Sequence, residues 1–283
     1  MRATKTPYRN EFLNALAQVN DQMCFVLFLD SYVGPDLQRL AADRPTQYTP
    51  EVFPENPFAK RIRVNMGKLL TFRSAQVVTA LGVSFAFSVE QLLLYVESTI
   101  RHWAQINGVA CQMTDPIDAC LSDCAAKNAK GKIEKNLIRT VKYLRLRRNH
   151  VIHAASEPSS ELVKSLRFDG PKLQKYWESR TTIPGVNFSS EAVREFSPDE
   201  TIALIKLVRI CVEDIDEFLA KELDIKRVLA WLDKDLLARH PELRAKGATI
   251  AARRVRKIKK RVYELYSLRA TSSDIAQVLG VAI

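Results

Sequence analysis

SPDETIALIKLVRICVEDIDEFL, residues 197–219, is the stretch on which the fold turns. Ser197 followed three residues later by Glu200 is a capping box, and Pro198 sits at the first helical position, where its missing N–H costs nothing. Ile202, Leu204, Ile205, Val208, Ile210, Val212, Ile215 and Phe218 then recur at helical spacing. Outward from this segment the same periodicity dominates the chain and predicts an all-α protein.

Upstream, a first amphipathic helix is expected from about Asn10 to near Asp30, stopped by Gly34-Pro35. The stretch from Pro35 to Pro57 holds five of the twelve prolines and reads as a long irregular excursion. A long helix is expected from about Arg61 to Gln105, kinked near Gly82 and terminated by Asn107-Gly108. Thr114-Asp115-Pro116 opens another helix, residues 127–132 read as a loop, and a helix follows from Ile133 to Ala155. Residues 156–196 have mixed, irregular character with room for a small hairpin. Downstream, three helices are expected: Asp224 to about Arg239, Lys246 to Arg269 and Ser272 to Leu279. The division read from this pattern is a helical domain over 1–225 and a basic helical segment over 226–283.

Of 283 residues, 47% are apolar and 27% charged, which is globular rather than disordered composition. No uninterrupted apolar run is long enough to cross a bilayer, and the first residues lack the apolar core of a secretory signal, so a cytoplasmic address without membrane partners is expected. Five cysteines without a CxxC fit that address as thiols. Cys111, Cys120, Cys124 and His102 match no common zinc spacing, so neither a metal nor a cofactor is expected. The formal charge of +11 is uneven: residues 226–283 carry 14 Lys and Arg against 5 Asp and Glu. Such a segment attracts polyanions.

Residues 143–155, YLRLRRNHVIHAA, gather three arginines and two of the four histidines. This block resembles the Arg-x(4–6)-His motif of the HEPN superfamily, helical proteins that often act as ribonucleases in toxins and antiviral defence. Arg148-Asn149 fits the family's common Arg-Asn pair, and His153 is followed by the small Ala154. The helices SFAFSVEQLLLYVESTIRHW before the motif and ETIALIKLVRICVEDIDEFL after it look like the family's flanking helices. The resemblance covers about residues 70–222 and implies a HEPN-like bundle with a basic C-terminal helical extension, acting as a homodimer with the motif at its interface.

The same resemblance implies a metal-independent endoribonuclease, toxin-like or antiviral, that answers to an antitoxin or other regulatory partner. Histidine, with an ordinary pKa near 6.5, can pass the protons of 2′-hydroxyl attack on the neighbouring phosphate. Arginine offers an always-charged fork to the phosphate oxygens. His153 is assigned as acid or base, Arg148 to the phosphate, and Asn149 to orienting substrate or His153, with His150, Arg147 and Arg145 in support. Arg147–His153 and Arg145–His150 also fit the motif's spacing. On a straight helix, residues five apart point about 140° away from each other, so a second subunit or a bend would have to gather the groups.

In the basic segment, Arg253, Arg254, Arg256, Lys257, Lys259, Lys260 and Arg261 crowd nine positions and are candidates for contacting RNA phosphates. Tyr263 and Tyr266 are candidate stacking residues, though packing against the preceding helix is the competing role. TSSDIAQVLGV, residues 271–281, resembles the first helix and turn of a helix-turn-helix, without the second helix that enters the major groove. The alternatives to a nuclease are a non-catalytic RNA- or protein-binding module and a DNA-binding regulator using this segment.

Overall fold

The computed structural model describes residues 3–111, 116–125, 131–153 and 157–281. Helices make up 75% of the chain and no strand occurs among the described residues, so the protein is all-α. The helices are α1 (Arg9–Asp43), α2 (Thr49–Val52), α3 (Pro57–Ile62), α4 (Met66–Asn107), α5 (Ile117–Cys120) running into a π-helical turn (Leu121–Ala125), α6 (Lys135–Ile152), α7 (Ser160–Phe168), α8 (Gly170–Glu178), α9 (Pro198–Lys221), α10 (Ile225–Arg239), a 3₁₀ turn (Pro241–Arg244), α11 (Ala248–Tyr266) and α12 (Ser272–Leu279).

Several expectations about boundaries fail for physical reasons. Helix α1 does not stop at Gly34-Pro35 but runs through Pro35 to Asp43. Proline removes one backbone hydrogen bond there. Against that loss, Arg73 holds Asp30 one turn earlier through Nε–Oδ1 at 2.5 Å and Nη2–Oδ2 at 2.8 Å. Its guanidinium lies over Gly34, where a side chain would collide with it. The proline-rich stretch is partly helical because Pro50 and Pro57 sit in the first turns of α2 and α3, the latter capped by Asn56. Helix α4 is continuous across Gly82, which serves packing: a Cβ there would meet Phe196 at 3.3 Å and Val151 at 3.7 Å. Residues 156–196 hold no hairpin among the described residues but two short helices, one capped by Ser159 and the other with Pro171 in its first turn. Thr114 and Asp115 lie outside the described residues, as do 127–130 of the expected loop.

By length and composition alone, α1 and α4 each contain an 18-residue window apolar enough to cross a membrane, with mean hydropathy 1.2 and 1.8. The longest apolar stretch in the sequence, Val77 to Ile100 within α4, is interrupted by Ser84, Ser88, Glu90, Gln91 and Glu97. Cys24 is an exposed thiol, and Cys120 and Cys211 are buried. Cys111 is disulfide-bonded, which corrects the expectation of five thiols. Among the described residues no group of three or more His, Cys, Asp or Glu is placed to hold a metal ion.

Contacts divide the chain into two compact units, Met1–Asn14, Glu90–Arg145 and Val208–Ile283 in one, Ala15–Val89 and Leu146–Leu207 in the other. This division does not follow the expected boundary at residue 225. In the first unit α10, α11 and α12 pack on one another through Leu229, Leu232, Ile258, Val262 and Ile275, all fully buried. The basic segment is therefore a folded three-helix cluster. Asp216, fully buried, accepts from the Thr6 backbone N–H at 3.0 Å and from the Tyr95 hydroxyl at 2.7 Å.

His102 sits in an aromatic cage of Tyr8, Trp231 and Tyr266, with Nε2 at 2.7 Å from the Tyr266 hydroxyl. Burial pushes its pKa down to about 4. The folded state thus holds this ring neutral, and its contribution is whole above about pH 6.5 and lost as pH falls toward 4, because the unfolded chain binds the extra proton. A shift of this size corresponds to about 3 kcal/mol. Denaturant unfolding of wild type and His102→Phe between those pH values should show a steeper loss in the wild type; parallel pH profiles would overturn this account.

Candidate functional site

Helix α6 carries the motif, and its burial pattern sorts the motif residues into two groups. Leu144, Arg147 and His150 recur on the inward side and are buried, while Arg148 and Asn149 are half-buried and His153, just past the helix end, is exposed. Arg147 is 2% exposed. Its guanidinium donates to Glu200 at 2.7 Å and to the carbonyl of Val193 at 2.9 Å, and it lies over the rings of Phe85 and Phe196 at 5.4 and 4.7 Å. The carboxylate of the expected capping residue Glu200 therefore pairs with Arg147, while Ser197 Oγ accepts from the Glu200 N–H at 3.1 Å. Arg147 is a core residue, which corrects its assignment as a supporting site residue: a guanidinium so enclosed cannot meet a phosphate.

His150 is also buried, 7% exposed, with Nδ1 lacking a hydrogen-bond partner. Burial, then the nearby Arg194 charge, lowers its pKa, so it is held neutral. Its carbonyl accepts from Arg194 Nη2 at 3.1 Å, placing a cation at the C-terminal end of α6, where the helix dipole favours one. Arg194 escaped the sequence reading because it lies in the stretch read as irregular, with no periodicity to place it.

The accessible group is Arg148, Asn149 and His153. Arg148 Nη1 donates to Asn149 Oδ1 at 2.9 Å, and the His153 N–H donates to the Asn149 carbonyl at 3.0 Å. The end of α6 thus offers one cation, one amide and one imidazole within six residues. Ala154 lies outside the described residues. Arg145 belongs to the other unit, where its Nε donates to the buried Asp118 at 2.6 Å. That carboxylate engages its charge, so Arg145 too is a structural cation.

The seven basic residues of α11 divide in a similar way. Arg254 is bound to Asp233 and Arg261 to Asp235, the latter at 2.6 Å, both half-buried. Although burial pushes the Asp235 carboxyl up, the Arg261 hydrogen bond and charge, with that of Arg239, hold it below its ordinary value. Lys257 Nζ is 3.3 Å from His240 Nε2. Arg254 and Arg261 thus stand as internal ion pairs rather than ready phosphate ligands, a correction to their assignment. Arg253, Arg256 and Lys260 are exposed and fall at intervals of three and four along one helical stripe, continued by the exposed Tyr263. Lys259 is exposed beside them, and Tyr266 is buried in the His102 cage.

No family model matches this chain, and no curated protein or solved structure matches it. The site therefore stands on its own geometry.

Removing one partner of a buried ion pair costs roughly 3–5 kcal/mol. Arg147→Ala should lower unfolding stability by about that amount, and by more than Arg148→Ala does. Equal losses in chemical denaturation would show that the assignment of the two arginines is wrong.

Proposed function

We propose that this protein is a HEPN-like, metal-independent endoribonuclease whose working residues are Arg148, Asn149 and His153. The observation that carries the reading is the partition of the motif: the Arg-Asn pair and the histidine that the resemblance makes catalytic are the ones left accessible, while Arg147 and His150 anchor the helix. In the proposed reaction a base takes the proton of a ribose 2′-hydroxyl, whose oxygen attacks the adjacent phosphorus. The bond to the 5′-oxygen breaks, and an acid returns a proton to that oxygen, leaving a cyclic phosphate and a 5′-hydroxyl end. His153 serves one of the two proton transfers, and the Arg148 guanidinium meets the growing charge on the phosphoryl oxygens. Asn149, already bound to Arg148, orients that guanidinium or the substrate.

The proposal extends to a toxin-like or defence role in the cytoplasm, a regulatory partner that restrains the activity, and action as a homodimer on RNA. A second reading, RNA binding without cleavage, is favoured by one separate observation, the exposed stripe of Arg253, Arg256 and Lys260 with Tyr263.

End-labelled RNA incubated with purified protein in EDTA should be cut, and Arg148→Ala or His153→Ala should each lower the rate by about 10²–10⁴-fold with folding intact. Cleavage that survives either substitution, or that stops in EDTA and returns with a divalent ion, would refute the mechanism. Neutralising Arg253, Arg256 and Lys260 together should reduce the slope of log affinity against log salt by about 2, at roughly 0.7 per phosphate contact on single strands. The same change at Arg254 and Arg261 should act on stability instead.

A further inference from the structure

Helices α1 and α4 contribute residues 15–43 and 66–89 to one unit, and there they form a hairpin that leaves much apolar surface exposed. Asp30 of α1 pairs with Arg73 of α4 at 2.5 Å, and where the chain turns back the Met66 N–H donates to the Gln47 carbonyl at 3.0 Å. Between the helices runs an open groove of about 650 Å³, lined by Val26, Leu29, Val33 and Leu37 on one side and by Leu69 and Phe72 on the other. The α1 residues recur at three and four, the spacing of a seam that receives another helix. Beside the groove, Phe25, Phe28 and Tyr32 follow the same spacing as a ridge, 58, 58 and 74% exposed. Their rings stack at 6.4 and 6.3 Å between centroids.

A pair of helices cannot bury apolar residues on more than the side they share, and two such pairs make a four-helix bundle. We propose that this hairpin is the surface on which two copies of the chain join, each ridge of Phe25, Phe28 and Tyr32 seating in the groove of the other. Ridge and groove lie side by side on one element, so a two-fold axis satisfies both at once, as an isologous contact requires. The exposed parts of Phe25, Phe28, Leu29, Tyr32, Val33 and Phe72 amount to on the order of 600 Å², approaching the roughly 800 Å² per partner of a stable complex. A lipid surface fits less well, because the Asp30–Arg73 pair lines the groove itself and charge is costly in hydrocarbon. The proposal gives the homodimer of the preceding section an interface on the hairpin rather than at the motif, and its argument uses none of the catalytic assignments.

Sedimentation equilibrium of the full chain at micromolar concentration should give twice the 32.1 kDa chain mass. Phe28→Glu with Tyr32→Glu should weaken association at least a hundredfold with an unchanged circular dichroism spectrum. Phe28→Ala with Tyr32→Ala, a milder pair, should weaken it in the same direction. Val163→Glu, at another exposed apolar position, should leave the dimer intact. A wild-type monomer throughout, or a dimer indifferent to both pairs of substitutions, would overturn the proposal. So would flotation of the wild type with phosphatidylcholine–phosphatidylglycerol vesicles that the Phe28 and Tyr32 substitutions abolish.

Discussion

The buried charge of Arg147 is the constraint around which its unit is arranged. A guanidinium 2% exposed needs compensation at every face, and it finds a carboxylate, backbone carbonyls and two aromatic rings. These come from residues 193–200, which lead into α9, and from α4, so two stretches far apart in sequence are bound to one side chain of α6. The pair also sets the rotation of α6. With Arg147 turned inward, its neighbour Arg148 lies about 100° around the helix, and His150, one turn on, must also be buried. The division of the motif into anchors and accessible groups follows from this one placement.

The long helices were legible in the sequence, because Leu204, Val208, Val212 and Ile215 or Val89, Leu92, Val96 and Ile100 repeat a period that only a helix satisfies. Proline is where sequence pattern and structure part. Pro35 reads as a stop, whereas α1 continues through it, with Asp30 just upstream held by Arg73 of α4. Pro50, Pro57 and Pro171 read as signs of irregularity, whereas each sits in the first turn of a short helix, a position that local periodicity over so few residues does not reveal. The candidate site was legible as a block of residue types but not as a geometry. Nothing in RRNHVIH distinguishes Arg147 from Arg148, since the difference is made by Glu200 and Val193, some fifty residues away.

The basic segment teaches the same lesson about charge. Its excess of cations is real, yet Asp233 and Asp235 on α10 draw Arg254 and Arg261 into the three-helix cluster. What remains for an external polyanion is a narrow stripe on one face of α11, not the whole run. Exposure along that stripe is set by the apolar positions Val255, Ile258 and Val262 that seat the helix. Packing, in other words, chooses which cations face the solvent.

Position 82 shows how far such dependence spreads. In an isolated helix alanine would be favoured over glycine there by about 1 kcal/mol. In this protein the added methyl would press at 3.3 Å on the Phe196 ring, which also meets Phe85 and the Arg147 guanidinium. The hydrogen at residue 82 is thus the clearance on one side of a ring that covers the buried charge. The outcome of alanine there turns on whether Phe196 can give way by a few tenths of an ångström, a question that helix propensity does not answer.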